Sequence, residues 1–286
     1  MTDNFSWLEA LKLARAEPNG YRRVQQALNV FPLQGFELEL VGRWLQDIDA
    51  LTDFKALRVA VLSTVSTQPL ANAVRVAAFK EEYLAEVYEA PFGAMRAEIL
   101  APDSMLYIFK PDIVLLDTGL TALENLPSQP IEADEVDRAL SAELSTMQSQ
   151  WRLLSERLGV QIIQNTIVAP AEMYAGFAER LAPWSPAAFT NTLNLQLISS
   201  SPAFVRWCDL DTLSKLVGLA NWHDPRLMHH AKFGFATKFL PDYMACLGVV
   251  LREVLAVTPK ALILDCDNTL WGGVIGDDSL EGIRLG

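Results

Sequence analysis

Five short apolar runs, each followed by polar or turn-forming residues, alternate along the sequence with longer stretches of helical periodicity. Such runs between turn residues are typical of strands that are buried on both faces of a sheet. Regular alternation of these strands with helices predicts an α/β protein with a doubly wound, five-stranded parallel sheet. The predicted strands, in chain order, are 58–62, 86–88, 112–116, 160–163 and 203–207.

The clearest helix is predicted between the third and fourth strands, where apolar residues recur every three or four positions from Val136 to Leu158. Residues 1–54 are predicted to form a helical N-terminal segment, because amphipathic stretches are separated there by turn residues. Residues 55–257 are predicted as the α/β domain, and residues 258–286 as the start of another domain. Inside the α/β domain, 221–235 is predicted to be irregular and 241–254 to be helical, with Pro241 at a favourable first position.

Composition and charge limit the classes of function. The 286 residues are 51% hydrophobic and carry a formal net charge of −12. An acidic chain disfavours nucleic acid as a partner, because phosphate backbones bind basic surfaces. We expect a cytoplasmic protein without membrane contact, since no apolar run reaches membrane-spanning length and the first residues do not resemble a signal peptide. The three cysteines lack CxxC spacing and predict neither disulfides nor a zinc site.

The sharpest chemical signal is DCDNTLWGG at 265–273. An apolar run at 261–264 predicts a further buried strand, and functional residues of open α/β sheets follow the carboxyl ends of such strands. Strand alternation places Asp265 and Asp267 on one side and Cys266 on the other, where we expect it in the core. Two carboxylates so placed can hold a hard cation such as Mg²⁺, and one can attack a phosphoryl group. Residues 274–278 are predicted to turn in a hairpin flap over this site.

With its flanking residues, this motif resembles the first motif and flap of the haloacid dehalogenase (HAD) superfamily, in the FkbH-like branch with its DNTLWGG signature. EVYEAPFGAMRAEIL at 86–100 and WHDPRLMHH at 222–230 resemble the domain that precedes the HAD part in long members. The resemblance implies that Asp265 is the nucleophile and a Mg²⁺ ligand. It also implies that Asp267 is the general acid/base and offers its backbone carbonyl to the metal.

The activity implied by this resemblance is that of a Mg²⁺-dependent phosphatase/acyltransferase. Such a protein moves a glyceryl or related acyl group from a phosphorylated donor to an acyl carrier protein with loss of phosphate, for example in polyketide antibiotic biosynthesis. The HAD family also implies a later Ser/Thr, a Lys/Arg and a further acidic pair, and the sequence offers no replacement for them. We therefore expect this chain alone not to be a competent phosphotransferase.

The domain before the motif resembles the SGNH hydrolases, whose catalytic residues follow successive strands. The first SGNH block would fall on STVST at 63–67, which places Val65 where the nucleophile belongs. Ser63 or Ser66 could substitute only with a shifted turn. Gly93 matches the glycine of the second block.

The remaining SGNH blocks match less well. Asn165, after the fourth strand, could supply an oxyanion-binding amide. The final Asp-x-x-His is absent, because Asp224 is followed three positions later by Leu227, and His229 and His230 lie further along. The sequence therefore favours non-catalytic recognition of an acyl carrier protein or acyl substrate. The alternatives are an SGNH-type esterase that uses Ser63 and His229, and a structural or oligomerising domain.

A basic segment follows the fifth strand. Residues 225–241 contain no acidic side chain and include Arg226, Lys232 and Lys238. Because ligands of doubly wound sheets bind near strand ends and carrier proteins are acidic, this segment is a candidate docking patch. Ordinary surface lysines with buried stems are the alternative. The histidines at 223, 229 and 230 show no recognisable metal-ligand spacing and are expected to form a polar loop.

Overall fold

A computed structural model shows how these segments are arranged. The chain forms two compact units, Met1–Leu255 and Ala256–Gly286, which are described separately below. The structure describes residues 5–17, 19–49, 51–169, 176–256, 264–282 and 284–285.

The first unit contains a five-stranded sheet in the order β2-β1-β3-β4-β5, with every neighbouring pair parallel. This order is that of the flavodoxin-like doubly wound fold. The predicted fold class is confirmed, and each strand overlaps its predicted run. The strands are β1 (Lys55–Ser63), β2 (Tyr83–Glu89), β3 (Ile113–Asp117), β4 (Gln161–Asn165) and β5 (Val205–Cys208).

Both faces of the sheet are buried because apolar side chains alternate between two cores. In β1, Val59 and Val61 belong to one core cluster, whereas Ala60 and Leu62 belong to the other. The same division is repeated along β3 and β4. Helices cover each face, as expected for a doubly wound sheet whose strands contain continuous apolar runs.

The helices of the first unit begin and end close to cap or turn residues. None of the helices in the described residues is both long and apolar enough to cross a membrane. Their bounds are α1 (Trp7–Ala16), α2 (Gly20–Val30), α3 (Gly35–Gln46), α4 (Gln68–Lys80), α5 (Met95–Leu100), α6 (Met105–Phe109), α7 (Ala133–Leu158), α8 (Pro186–Ser200), α9 (Leu210–Val217), α10 (Leu219–Trp222), α11 (Pro225–Ala231) and α12 (Leu240–Val254).

Helix α4 is the most deeply buried helix on its face of the sheet. It packs against α3 and α12, so the N-terminal helices share a core with the sheet. Gly42 permits the close approach of α3, since a Cβ atom there would lie 2.6 Å from the Cβ atom of Asn72. The buried guanidinium of Arg75 is paired with Glu89 at 2.8 Å and also donates to Asn72.

The segment 221–235, predicted to be irregular, instead contains the end of α10 and all of α11. Asp224 is the N-cap of α11 and accepts hydrogen bonds from the backbone N–H groups of Arg226 and Leu227. Pro225 occupies the first turn, where its missing N–H costs nothing. The Asp-Pro pair is the local signal that the prediction overlooked.

The second unit contains a two-residue antiparallel pair between β6 (Trp271–Gly272) and β7 (Arg284–Leu285). The predicted turn at 274–278 is wrong, because Ile275–Gly282 is a short helical segment interrupted at Ser279. Cys266, expected in the core, is exposed. The predicted strand 261–264 lies outside the described residues except for Leu264, which is exposed.

Candidate functional site

Three strand ends bring Ser63, Asp117 and Asn165 together at the carboxyl edge of the sheet. The hydroxyl of Ser63 donates to Oδ2 of Asp117 at 2.7 Å. The side-chain amide of Asn165 donates to Oδ1 of the same carboxylate at 2.9 Å. Asp117 is thus the acceptor that joins β1, β3 and β4, and each of its oxygens has a side-chain donor.

This polar cluster extends into the neighbouring backbone and to helix α12. The backbone N–H of Val65 donates to the Ser63 hydroxyl at 3.0 Å, and the Asn165 amide lies 3.4 Å from the hydroxyl of Tyr243. Ser63, Asn165 and Tyr243 are all fully buried. Within the described residues, Oδ1 of Asn165 has no hydrogen-bond partner. The sequence prediction included Ser63 and Asn165 but missed Asp117 and Tyr243.

Loss of hydration dominates the electrostatics of the cluster. It raises the pKa of the Asp117 carboxyl, and the hydrogen bonds from Asn165 and Ser63 oppose that shift without cancelling it. Burial likewise raises the pKa of the Tyr243 hydroxyl well above its ordinary value, and the nearby Cys208 and Asp117 act in the same direction. Tyr243 is therefore a neutral hydroxyl at physiological pH.

Asp117 also forms part of the lining of a cleft of about 280 Å³ at this edge. The walls are largely apolar, and the rings of Trp222 and Phe235 are stacked with their centroids 4.4 Å apart. His223 and Asp224 line the same cleft. The other apolar lining residues are Val65, Leu120, Val168, Leu210, Pro225 and Met228.

The structure does not assemble the Ser63–His229 pair of the esterase hypothesis. Ser63 is fully buried, and its hydroxyl donates a hydrogen bond to Asp117. His229 lies on the exposed side of α11, and no hydrogen bond joins it to Ser63 among the described residues. Val65, at the place of the SGNH nucleophile, contributes an apolar side chain to the cleft. A nucleophile and a base within hydrogen-bond reach are thus not provided by these residues.

Ser66 and Gly93, the other residues predicted around the SGNH blocks, do not line the cleft. The hydroxyl of Ser66 donates to the carbonyl of Ala231 at 2.6 Å, and its N–H donates to the carbonyl of Lys232 at 2.8 Å. Ser66 therefore fastens the end of α11 to the loop after β1. Gly93, with φ +74°, lines a separate cavity of about 360 Å³ that shares Thr118 and Thr121 with the cleft.

Helix α11 separates the cleft from an open, basic groove. Its residues Pro225 and Met228 line both, whereas Arg226 and Lys232 line the groove, as do both adjacent histidines. Neither Arg226 nor Lys232 forms an ion pair within the described part of the chain. Lys238, the third predicted cation, instead lies 4.8 Å from the ring centre of Phe239.

In the second unit, Asp267 organises its own loop. Its Oδ1 atom accepts hydrogen bonds from the indole N–H of Trp271 and from the backbone N–H of Ile275, both at 3.1 Å. Asn268, at φ +55°, accepts from the N–H of Gly273 at 2.9 Å. The carboxylate of Asp265 is exposed.

The carboxylates of Asp265 and Asp267 are the kind of ligand that Mg²⁺ prefers, but two carboxylates alone do not complete its coordination. Mg²⁺ requires nearly octahedral oxygen coordination. No group of three or more His, Cys, Asp or Glu side chains is placed to hold a metal within the described residues. The donor set among the described residues is therefore incomplete, and we assign no catalytic step to a metal held by them.

Comparisons with known proteins agree with this architecture. A family model described as the N-terminal domain of FkbH matches residues 58–250, which is more than half of the chain. The chain belongs to the FkbH N-terminal domain family. The matched residues include most of β1, all of β2 to β5, the lining of the cleft and α11. A search of curated protein sequences found no significant match.

Among solved structures, the FkbH-type chain is similar to the N-terminal part of protein BF1531 from Bacteroides fragilis, which contains a phosphatase domain complexed with Mg. The identity is 25% and the TM-score 0.71, over 89% of this chain and 65% of the other. The chain thus spans about two thirds of that neighbour. An acetyl xylan esterase, AlAXEase, overlaps at 13% identity with a TM-score of 0.42, over 67% of this chain and 99% of the esterase. A likeness at that level bears on no assignment.

Proposed function

We propose that the FkbH-type domain binds the acyl-bearing arm of an acyl carrier protein, with the arm in the cleft and the carrier on the basic groove. The observation that carries this proposal is the position of α11. This helix lines an apolar cleft at the carboxyl edge of the sheet and also a groove containing Arg226 and Lys232. One ligand that is apolar at its tip and anionic at its base would contact both.

The chemistry of a carrier-bound acyl group fits these two surfaces. A phosphopantetheine arm ends in a thioester and begins at a phosphate on an acidic protein. The cleft, at about 280 Å³, suits a short acyl chain and the end of the arm. Arg226 and Lys232, which form no ion pair within the described residues, can attract the phosphate and the acidic carrier, which favours encounter and orientation.

The polar cluster behind the cleft supports recognition over catalysis. The Ser63 hydroxyl is hydrogen-bonded to Asp117, and Val65 lines the cleft at the place where an SGNH hydrolase has its nucleophile. An esterase or acyltransferase with an altered triad is the second candidate, because the imidazole of His223 lines the same cleft. A purely structural or oligomerising role is the third.

Binding to an acidic carrier protein tests the groove. The chain is titrated by calorimetry with the same carrier in its apo, holo and short-acyl forms. Arg226→Glu combined with Lys232→Glu should weaken binding by about tenfold or more at low salt, because two attractive contacts become repulsive. The matched control reverses Lys12 and Lys110, which are exposed and lack ion pairs among the described residues. Equal affinities of the two double variants would exclude the groove as the docking surface.

The cleft is tested separately from the groove. Leu120→Trp places a larger side chain on a partly buried wall of the cleft. We expect this variant to bind apo carrier like the parent and to lose any preference for the acyl form. A structural role predicts no binding of any carrier form by the parent chain.

Hydrolysis assays test the esterase alternative. The parent chain is incubated with p-nitrophenyl esters and with acyl thioesters, and we expect no turnover above the background rate. Turnover that disappears in Ser63→Ala, His223→Ala or His229→Ala would overturn the recognition hypothesis in favour of a catalytic role.

We further propose that the second unit begins a HAD-type phosphatase region in which Asp265 and Asp267 bind Mg²⁺. Two observations support this: the DCDNTLWGG motif, and the similarity to a protein whose N-terminal part contains a phosphatase domain complexed with Mg. The test is Mg²⁺-dependent phosphate release from a phosphorylated acyl donor by the longest natural form of the protein. Asp265→Asn should abolish release, whereas retention of activity would remove Asp265 from the nucleophile role.

A further inference from the structure

Two free cysteines meet between the sheet and helix α12. Cys208 ends β5 and is buried, whereas Cys246 lies on α12 and is partly exposed. Their sulfur atoms are 3.3 Å apart. Helix α12 also packs against β5, so both residues are held by regular elements of the first unit. Neither thiol has a part in the proposed acyl recognition.

We propose that Cys208 and Cys246 are a redox-active pair that hydrogen peroxide oxidises to a reversible disulfide. In the first step, the thiolate of Cys246 attacks one oxygen of the peroxide, the O–O bond breaks, and hydroxide leaves and becomes water with one proton. In the second, the sulfur of Cys208 attacks the sulfur of the resulting sulfenic acid, the S–O bond breaks, and the departing hydroxide takes the Cys208 proton and leaves as a second water. Two thiols and one peroxide thus give one disulfide and two waters.

The surroundings of the two sulfurs assign the order of these steps. The hydrogen bond from Cys208, together with one from the backbone N–H of Asp209, lowers the pKa of Cys246 to about 7. The same bond and burial raise the pKa of Cys208 well above its ordinary value. Cys246 is therefore the thiol that ionises more readily near neutral pH and is the more accessible of the two. Cys208 lies behind it as the resolving thiol.

Closing the bond requires a small movement. A disulfide has a sulfur–sulfur distance of about 2.05 Å, so the sulfurs must approach by roughly 1.2 Å. The bond would connect α12, which carries Tyr243, to the strand end next to Asn165 and Thr166. Oxidation would therefore cross-link elements whose side chains support the polar cluster behind the cleft.

Mass spectrometry of the oxidised protein tests the proposal. The exposed Cys266 is first replaced, and Cys266→Ser is treated with a small excess of hydrogen peroxide. We expect a mass loss of about 2 Da, a cross-linked peptide containing Cys208 and Cys246, and complete reversal by dithiothreitol. The unfolding midpoint should rise on oxidation and return on reduction.

Single replacements in the same background separate the two roles. Cys208→Ser should leave a sulfenic acid on Cys246 that dimedone labels, whereas Cys246→Ser should react with peroxide much more slowly. If either variant fails to fold, the search for the cross-linked peptide in Cys266→Ser still tests the proposal. Absence of the cross-linked peptide, or direct conversion of Cys246 to a sulfinic acid, would overturn the proposal.

Discussion

Asp117 in the first unit and Asp267 in the second both use side-chain oxygens to hold neighbouring groups, but their partners come from very different distances along the chain. The donors to Asp117 are 54 and 48 positions away. Those to Asp267 are four and eight positions away. One carboxylate therefore depends on the whole sheet, whereas the other depends on a single loop.

The difference explains why only the second of these sites could be recognised as a motif. DCDNTLWGG contains Asp267 together with the tryptophan that donates to it, so the loop is visible as a short run of letters. The cluster around Asp117 exists only where the parallel order places β1, β3 and β4 side by side. Its members share no short stretch of sequence.

The largest expected effect is a loss of stability in Asp117→Ala. This change leaves the Ser63 hydroxyl and the Asn165 amide buried without their acceptor, and we expect the free energy of unfolding to fall by about 2–4 kcal/mol. Asp267→Ala is the matched control, expected to change unfolding of the first unit by less than about 0.5 kcal/mol. Urea denaturation followed by circular dichroism measures both, and equal losses would end the distinction between the two carboxylates.

The second expected effect is a pH dependence that originates at Asp117. Burial raises the pKa of its carboxyl, so the native protein keeps a proton over a pH range in which the unfolded chain has lost it. That stabilisation is fully present below the unfolded-state pKa and is lost as pH rises through the native pKa. The parent should therefore gain stability relative to Asp117→Asn as pH falls from about 7 towards about 4. Parallel urea titrations measure this difference; a flat or opposite trend would contradict the assignment.

A smaller effect is expected from Tyr243→Phe. This change removes the hydroxyl 3.4 Å from the Asn165 amide and keeps the buried ring, so a loss of about 0.5–1.5 kcal/mol in unfolding free energy is expected. Tyr83→Phe is the control, because no hydrogen bond of its hydroxyl is found within the described residues. If the two variants are equally stable, the contact between Tyr243 and Asn165 contributes nothing.

The smallest effect should follow Trp271→Phe, which removes the indole donor to Asp267. Unfolding of the first unit should change by less than about 0.5 kcal/mol. Amide hydrogen exchange at Ile275, whose N–H shares the same acceptor oxygen, should become faster. Unchanged exchange at Ile275 would show that the backbone turn alone holds the loop.

Much of the fold was predictable because its signals are local. Each strand follows from an apolar run, and the polar residues after those runs include Ser63 and Asn165, which the structure brings together on Asp117. Asp117 also ends such a run and could have been selected by the same rule. Tyr243 could not, because it lies on a helix 78 positions from Asn165 and only packing brings the two together.

For residues near the cleft, too, the sequence predicted the residue types but not their arrangement. Arg226 and Lys232 were selected for their charge, and the structure places both on one groove. Helix α11 separates this groove from an apolar cleft because of where the fold places the helix. The charges in the sequence do not predict that placement. The apolar character of Val65 was already visible in the sequence and agrees with its place on the cleft wall.

The bond from Ser66 to Ala231 closes a loop of 165 positions, which gives the cleft a high contact order. During synthesis the last strand of the sheet is complete at Cys208, yet Trp222 and Phe235 must still leave the ribosome before the cleft has its aromatic wall. The sheet residues therefore emerge before the proposed ligand-binding surface can form. Ligand affinity should accordingly report on completed folding more faithfully than the spectroscopic signal of the sheet.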